Sequence, residues 1–149
     1  MRVALFEPDI PQNAATLIRA CACLGVPIDI IEPCGFQLSD RRFKRAGLDY
    51  LELADLTRYV SWESFRQSRS NRPVLVTPSA EARYTDFRFR PDDSLVLGRE
   101  SAGFPDWVEK GVADRVAIPM RPGLRSLNVA LAGAMVLGEA LRQTNGFPK

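Results

Sequence analysis

The chain of 149 residues contains no histidine. This excludes serine–histidine and cysteine–histidine nucleophile systems, and it excludes zinc sites that need a histidine ligand. Cysteine is scarce as well: Cys21, Cys23 and Cys34 are odd in number, and the first two form C-x-C rather than C-x-x-C. We interpret them as small buried residues of a reduced, cytoplasmic protein rather than as redox or metal ligands, and we expect no metal site.

Long apolar runs and the common phosphate-binding signatures are also missing. The longest apolar stretch, 129–141, is too short to span a membrane and is interrupted by Glu139. No signal-peptide core follows Arg2, so we expect a cytoplasmic location and no membrane partner. Neither G-x-G-x-x-G nor G-x-x-x-x-G-K-[ST] occurs, which argues against nicotinamide-dependent and nucleotide-hydrolysing enzymes. The formal net charge of +2 permits an anionic partner without requiring one.

What is present is an alternation of short apolar runs with segments of helical spacing. The apolar runs predict strands at 3–6, 28–31, 51–53, 74–77, 94–97 and 116–118. Helical spacing predicts helices at 14–24, 40–45, 62–68, 106–110 and 126–143, with Ser39 and Ser61 as N-caps and Gly25 and Gly47 at helix ends. This alternation predicts one α/β domain with a mostly parallel sheet and helices on both of its faces.

The predicted last helix carries small residues at every fourth position, Ala130, Ala134 and Gly138. Leu131 and Met135 add apolar bulk beside them. The helix is apolar nearly all round, so it needs cover on more than one side. Burial within the core of one chain and burial at a subunit interface are both compatible with this pattern.

Two strand-to-loop junctions are the best candidates for a binding site. Residues 97–105 read LGRESAGFP, and residues 118–128 read IPMRPGLRSLN. In an α/β fold, adjacent loops at strand ends can build one pocket. Gly98 and Gly103 allow the backbone to approach a ligand closely. Glu100 between them can bind a ligand or an arginine, or it is an ordinary exposed loop residue.

Four polar residues have both a structural and a functional interpretation. Ser126 is predicted as the N-cap of the last helix, with Asn128 in the turn that follows. The segment EPDIPQN after the first strand ends at Asn13, which can cap the first helix. Arg19 lies in an otherwise apolar helix, where an arginine is commonly salt-bridged or extended towards solvent. Each of the four could instead belong to a ligand site.

Positive charge is concentrated in the predicted short helix, at Arg41, Arg42, Lys44 and Arg45. Arg41 shares a helix face with Lys44 and Arg45, so like charges repel one another there. That arrangement costs stability in isolation and is favourable beside an anion such as an RNA phosphate. A solvated charged face is the alternative.

Together these motifs resemble the SPOUT class of S-adenosylmethionine-dependent RNA methyltransferases. Within that class they resemble most the small TrmL group, which methylates the ribose 2′-oxygen of the tRNA wobble nucleotide, a cytidine or a uridine. The resemblance covers essentially the whole chain: EPDIPQN (7–13) before Arg19, IEP (31–33) with GF (35–36), RAGLDY (45–50), LG (97–98) with Glu100 and Gly103, IPM (118–120) and RSLN (125–128). The short length implies a single methyltransferase domain over 1–149, without an appended RNA-binding domain.

The resemblance also implies a deep trefoil knot in the C-terminal part of the sheet and a homodimer packed through the first and last helices. It implies that S-adenosylmethionine, with S-adenosylhomocysteine as product, binds Val76, Thr77, Gly98, Ile118, Met120 and Ser126. The implied catalytic residues are Arg19, Asn13, Glu100 and Asn128, with no metal. The basic residues Arg41, Arg42, Lys44 and Arg45 would then grip the tRNA anticodon stem-loop.

In this scheme Arg19 clamps a phosphate and the developing alkoxide, and Glu100 and Asn13 orient it. Arginine is too weak a base to take the hydroxyl proton, so phosphate or solvent accepts it. The chain departs from the group at 15–16, where Gly-Asn is usual, and at Ala130 in the segment where a serine is usual. The alternatives are a 2′-O-methyltransferase of another RNA site and a non-catalytic knotted RNA-binding factor.

Overall fold

A parallel sheet forms the centre of the fold. The computed structural model describes residues 1–47 and 49–149, so Leu48 of the RAGLDY motif lies outside the described residues. In these two ranges the strands are β1 (Arg2–Phe6), β2 (Ile28–Ile31), β3 (Leu56–Tyr59), β4 (Pro73–Val76), β5 (Ser94–Leu97) and β6 (Arg115–Val116). They lie in the order β3-β2-β1-β5-β4-β6, and neighbouring strands pair in parallel. The prediction of a parallel α/β sheet is confirmed.

Helices cover both faces of this sheet, as predicted. The helices in the described ranges are α1 (Pro11–Leu24), α2 (Arg41–Gly47), α3 (Tyr50–Leu53), α4 (Trp62–Ser68), α5 (Asp106–Gly111) and α6 (Val129–Thr144). Successive side chains of β1 alternate between two apolar clusters, because side chains of a strand point to opposite faces. Leu5 packs in the cluster with α1 and α6, whereas Phe6 packs in the cluster with α4 and α5.

Three predicted helix starts were wrong. Helix α1 begins at Pro11, so Asn13 lies inside its first turn and Ile10 occupies the cap position. Helix α6 begins at Val129 with Asn128 as its N-cap, so Ser126 lies outside it in the preceding loop. Before α2 the Asp40 carboxylate, rather than Ser39, accepts the Arg42 backbone N–H at 2.7 Å. At an N-cap position, the carboxylate of aspartate and the amide of asparagine are as effective as the hydroxyl of serine in accepting backbone N–H groups.

Two further sequence expectations also need correction. Residues 51–53 form part of the single helical turn α3, and the edge strand β3 lies three residues later. Cys23 is exposed, although Cys21 is buried as expected and all three cysteines are free. Burial raises the pKa of Cys21 to about 12 and that of Cys34 to about 11, so neither thiol ionises near neutral pH.

Helix α6 has two different apolar faces. One packs on α1 and the sheet, and a Cβ atom added at Gly133 would lie 2.7 Å from side-chain atoms of both Leu17 and Leu97. The other face leaves Leu131 61% and Met135 42% exposed. The helix therefore contributes to the core and also presents apolar surface on its outer side. No helix among the described residues is long and apolar enough to cross a membrane.

Buried ion pairs tie the strands together where they begin. The fully buried carboxylate of Asp29 accepts two hydrogen bonds from Arg2 at 2.7 and 2.8 Å and lies 3.5 Å from Arg69. Asp93, also fully buried, accepts two from Arg72 at 2.8 and 2.7 Å. Pairing is required here because an uncompensated buried charge is strongly unfavourable. These contacts lie at the amino ends of the strands, at the edge of the sheet opposite the ends of β4, β5 and β6.

Candidate functional site

A cavity of about 750 Å³ opens where β4, β5 and β6 end. Its walls come from the residues after β4, the 97–104 loop, the segment 118–129, and the start of α1. This is the edge of a parallel α/β sheet at which ligands bind. All six residues predicted to hold a cofactor line it: Val76, Thr77, Gly98, Ile118, Met120 and Ser126. Their binding role stays a prediction.

The 98–103 loop is a tight turn that depends on its glycines. Arg99 and Gly103 exchange backbone hydrogen bonds at 3.1 and 2.8 Å, which closes the turn. Gly103 has a φ of +61°, a conformation that disfavours other residues. A Cβ at Gly98 would lie 2.9 Å from the Gly103 carbonyl carbon. The glycines are thus needed to close the loop, whether or not a ligand also approaches the backbone there.

A pair of carboxylates joins this loop to the one after β1. The Asp9 backbone N–H donates to Glu100 Oε2 at 3.0 Å, and the Glu100 backbone N–H donates to Asp9 Oδ1 at 3.2 Å. Ser101 donates to Asp9 through its hydroxyl and its backbone N–H. Hydrogen bonding from Glu100 and Ser101 lowers the pKa of Asp9, whereas burial and the neighbouring Asp9 raise the pKa of Glu100. Glu100, which lines the cavity, is therefore a weaker acid than an ordinary glutamate because its pKa is raised.

Two side-chain amides also meet in the cavity wall. Asn128 Nδ2 donates to Asn13 Oδ1 at 3.0 Å. The other side-chain atom, Asn128 Oδ1, accepts the backbone N–H groups of Ala130 at 2.9 Å and Leu131 at 3.3 Å. Asn128 therefore caps α6 and holds Asn13 at the same time. Both asparagines line the cavity, as does Glu100.

Arg19 does not lie with the other three predicted catalytic residues. Its exposed guanidinium stacks on the Tyr50 ring, 4.9 Å from the ring centroid, and it is not part of the cavity wall. The resemblance to the SPOUT class implied a catalytic role for Arg19, whereas the sequence pattern alone left its role open. Within one chain it lies outside the site.

The cavity contains a polar cluster that sequence reasoning missed. Thr77 Oγ1 donates to Glu109 Oε1 at 2.8 Å, and Ser79 Oγ lies 3.1 and 3.2 Å from the two Glu109 oxygens. Glu109 reaches this wall from α5, which packs against the sheet through Val108. Nothing in the local sequence around Glu109 indicates this contact, since it joins positions 30 and 32 residues apart.

Comparison with known proteins decides the family. The SpoU rRNA Methylase family matches residues 1–138 of the chain. The chain belongs to this family. A tRNA (cytidine(34)-2'-O)-methyltransferase of Beijerinckia indica is 56% identical and aligns with 99% of the chain and 94% of its own length. A relative of the same name from Ancylobacter novellus is 51% identical, and the alignment covers 100% of this chain and 96% of that protein.

Solved structures agree with this SpoU assignment. One, described as giving structural insights into the 2-OH methylation of C/U34 on tRNA, is 38% identical with a TM-score of 0.90, and 97% of this chain and 96% of that chain are covered. The SpoU methyltransferase AviRb from Streptomyces viridochromogenes, in complex with AdoMet, is 26% identical with a TM-score of 0.80. In that case 96% of this chain and 60% of that chain are covered.

The basic helix of this SpoU-family chain lies apart from the cavity. Arg41, Arg42, Lys44 and Arg45 are all exposed on α2, which packs on α1 and follows β2. Arg42 pairs with Asp40 at 3.0 Å. None of the four residues lines the cavity, so they can contact only a ligand that extends beyond the cavity. In residues 1–47 and 49–149, no cluster of three or more histidine, cysteine or acidic side chains is placed to hold a metal ion.

Proposed function

We propose that this chain transfers a methyl group from S-adenosylmethionine to the ribose 2′-hydroxyl of nucleotide 34, the wobble nucleotide of tRNA. The observation that carries this proposal is the 56% identity, over 99% of the chain, with a relative named for that reaction at cytidine 34. The solved relative concerned with C/U34 supports extending the target to a cytidine or a uridine.

The composition of the cavity supports S-adenosylmethionine as the donor. Its volume of about 750 Å³ lies in the range of small-molecule sites, roughly 300–1,000 Å³. Val76, Leu97, Ile118 and Met120 supply apolar walls, and the loop at Gly98 supplies backbone hydrogen-bonding groups. Such a lining suits an adenosyl group. When bound, the cofactor supplies an electrophilic methyl group on its sulfonium and leaves as S-adenosylhomocysteine.

The remaining tasks are to position the ribose hydroxyl and to remove its proton. Fixed alignment alone can lower a barrier by roughly 7–11 kcal/mol in favourable cases. Asn13 and Asn128 form a rigid amide pair on one wall because Asn128 is itself fixed as a helix cap. Glu100 faces the same cavity with a raised pKa and is held by Asp9. We assign these residues to orienting the substrate and Arg19, with phosphate or solvent as the proton acceptor.

Arg19 can contribute to this site only across a subunit boundary. We therefore infer a homodimer packed through α1 and α6, in which the partner subunit's Arg19 lies beside the cavity. The exposed face of α6 with Leu131 and Met135, and the exposed Ile10 before α1, supply apolar surface for this contact. Both lie near the cavity, which Ile10 and the start of α6 help to line.

We also infer that the segment through β5, β6 and α6 is threaded as the trefoil knot of the SPOUT class. The way in which the loops after β4, β5 and β6 wall one cavity supports this proposal. On the outer surface, Arg41, Arg42, Lys44 and Arg45 of α2 would grip the anticodon stem-loop through its phosphates.

The test is direct. Purified protein is incubated with methyl-labelled S-adenosylmethionine and tRNA from a strain that lacks this enzyme, and the labelled nucleotide is located by digestion and mass spectrometry. We expect label at the 2′-oxygen of nucleotide 34. A synthetic anticodon stem-loop with a 2′-deoxynucleotide at position 34 is the matched control and must accept none. Label at another position would refute the assigned target, and failure of calorimetry to detect cofactor binding would favour a non-catalytic RNA-binding factor.

A further inference from the structure

A second cavity of about 500 Å³ adjoins the first. It lies between the segment 78–83, which follows β4, and the loop 117–125, which follows β6. The two cavities share Pro78, Ile118, Met120 and Arg125 in their walls. A ligand seated in the first cavity can therefore continue into the second without crossing an intervening element.

The second cavity is basic. Arg83, Arg121 and Arg125 line it, all three are exposed, and Glu81 is the acidic residue that accompanies them. Among the described residues, no carboxylate lies within ion-pair distance of any of the three arginines. Guanidinium groups without an internal partner match phosphate oxygens in geometry and charge.

Backbone hydrogen bonds fix the part of the second cavity's wall that carries Arg83. Ala117 donates its N–H to the Ala82 carbonyl at 2.8 Å, and Tyr84 donates its N–H to the Ala117 carbonyl at 3.0 Å. The backbones of Arg83 and Ala117 therefore form an isolated parallel β-bridge next to β6. On the facing loop, two prolines restrict the backbone on either side of Arg121. The basic side chains thus project from restrained backbone on both sides of the cleft.

We propose that this second cavity is an RNA-binding site for the phosphodiester groups that flank the methylated nucleotide. The inference rests on the proposed function, because a ribose placed at Asn13 and Asn128 leaves its attached backbone close to the shared wall at Arg125. The site is distinct from the α2 surface: β2, which precedes α2, lies on the far side of β1 from β4 and β6. Arg83 and Arg121 would contact phosphates near the reacting nucleotide, whereas α2 would contact the stem.

The experiment compares two double variants that remove the same charge. The test variant is Arg83→Gln with Arg121→Gln; Arg125 is left unchanged because it also lines the first cavity. The control is Arg88→Gln with Arg90→Gln, two exposed arginines that precede β5 at the opposite end of the sheet. Affinity for tRNA is measured at several salt concentrations. Cofactor affinity is measured by calorimetry and subunit association by sedimentation.

Two lost contacts with a single-stranded loop should reduce the slope of log K against log salt by about 1.4. The same relation predicts roughly 15-fold weaker binding of the test variant at 0.15 M salt. We expect the control variant to keep the wild-type slope and the test variant to keep its cofactor affinity and subunit association.

An unchanged slope in the test variant would overturn the proposal, as would an equal loss in the control. Weaker cofactor binding with normal tRNA binding would assign the arginines to the cofactor carboxylate, and dissociated subunits would assign them to an interface; either result overturns it. Because the readout is binding, failure of the methylation assay at nucleotide 34 would refute the proposed function and leave this test valid.

Discussion

Replacing Asn128 with serine and with alanine separates the two roles of its side chain. Its Oδ1 atom caps α6 through two backbone N–H groups, while its Nδ2 atom holds Asn13. Serine is as good an N-cap as asparagine but is too short to reach Asn13, and alanine can do neither. The serine variant therefore removes the contact in the cavity and leaves the helix start intact.

The magnitudes follow from these contacts. Loss of an N-cap costs about 1 kcal/mol, which in a protein of this size lowers the Tm by roughly 2–4 °C. We expect that decrease for Asn128→Ala. For Asn128→Ser we expect only the loss of one exposed amide hydrogen bond, about 0.5 kcal/mol. Methyl transfer should fall in both variants, between about tenfold and a hundredfold, because the substrate is no longer held in alignment.

The assay pairs thermal unfolding by circular dichroism with initial rates of tRNA methylation at saturating cofactor. Ser61→Ala is the matched control: Ser61 caps α4 by accepting the Ser64 N–H at 3.1 Å, on the sheet face opposite α1 and α6. It should lower the Tm as Asn128→Ala does and leave methylation unchanged. Full activity of Asn128→Ser would show that Asn128 serves only as a helix cap and would refute the assignment.

Three further variants test other parts of the structure. Arg19→Lys keeps the charge but not the planar guanidinium, so tRNA binding should persist while most methylation is lost; near-normal turnover would contradict the clamp role. Burial and Asp9 raise the pKa of Glu100, so its ionisation at neutral pH disfavours the folded state. Glu100→Gln should therefore raise the Tm at pH 7, with the gain vanishing below about pH 4, and it should slow methylation; a lower Tm at pH 7 would be inconsistent with this sign. Asp29→Asn leaves Arg2 without its buried counter-charge and should destabilise the protein by about 3–5 kcal/mol in urea unfolding, and a change below 1 kcal/mol would refute a net role for the pair.

Much of the sheet could be predicted because its central strands are buried on both faces. The strands around Leu5, Ile30 and Val96 are continuous apolar runs, and the sequence positions them within one or two residues. Strand β3 was missed because it lies at an edge and reads LTRY, with only Tyr59 buried. The segment 51–53 was misassigned because a single helical turn is too short to show a period.

The residues that line the candidate site could be predicted where they follow the strands, but not where they reach the cavity through tertiary packing. The rule that loops at the carboxyl edge of a parallel sheet can share a pocket was enough to bring Gly98 and Met120 together, although β4 lies between the strands that precede them. The contact between Asp9 and Glu100 joins residues 91 positions apart, and the reach of Glu109 depends on how α5 packs. The position of Arg19 against Tyr50 depends likewise on how α1 meets α3, which no local pattern encodes.

The buried pairs at Asp29 and Asp93 have a consequence for redesign. They fasten the sheet at one end of its strands, whereas both cavities open at the other end, beyond strands of four or five residues. At about 3.3 Å per residue the two ends are separated by more than 10 Å, a distance at which substitutions usually act independently. Substitutions in the loops around the cavities should therefore leave the ion pairs at the opposite edge of the sheet undisturbed.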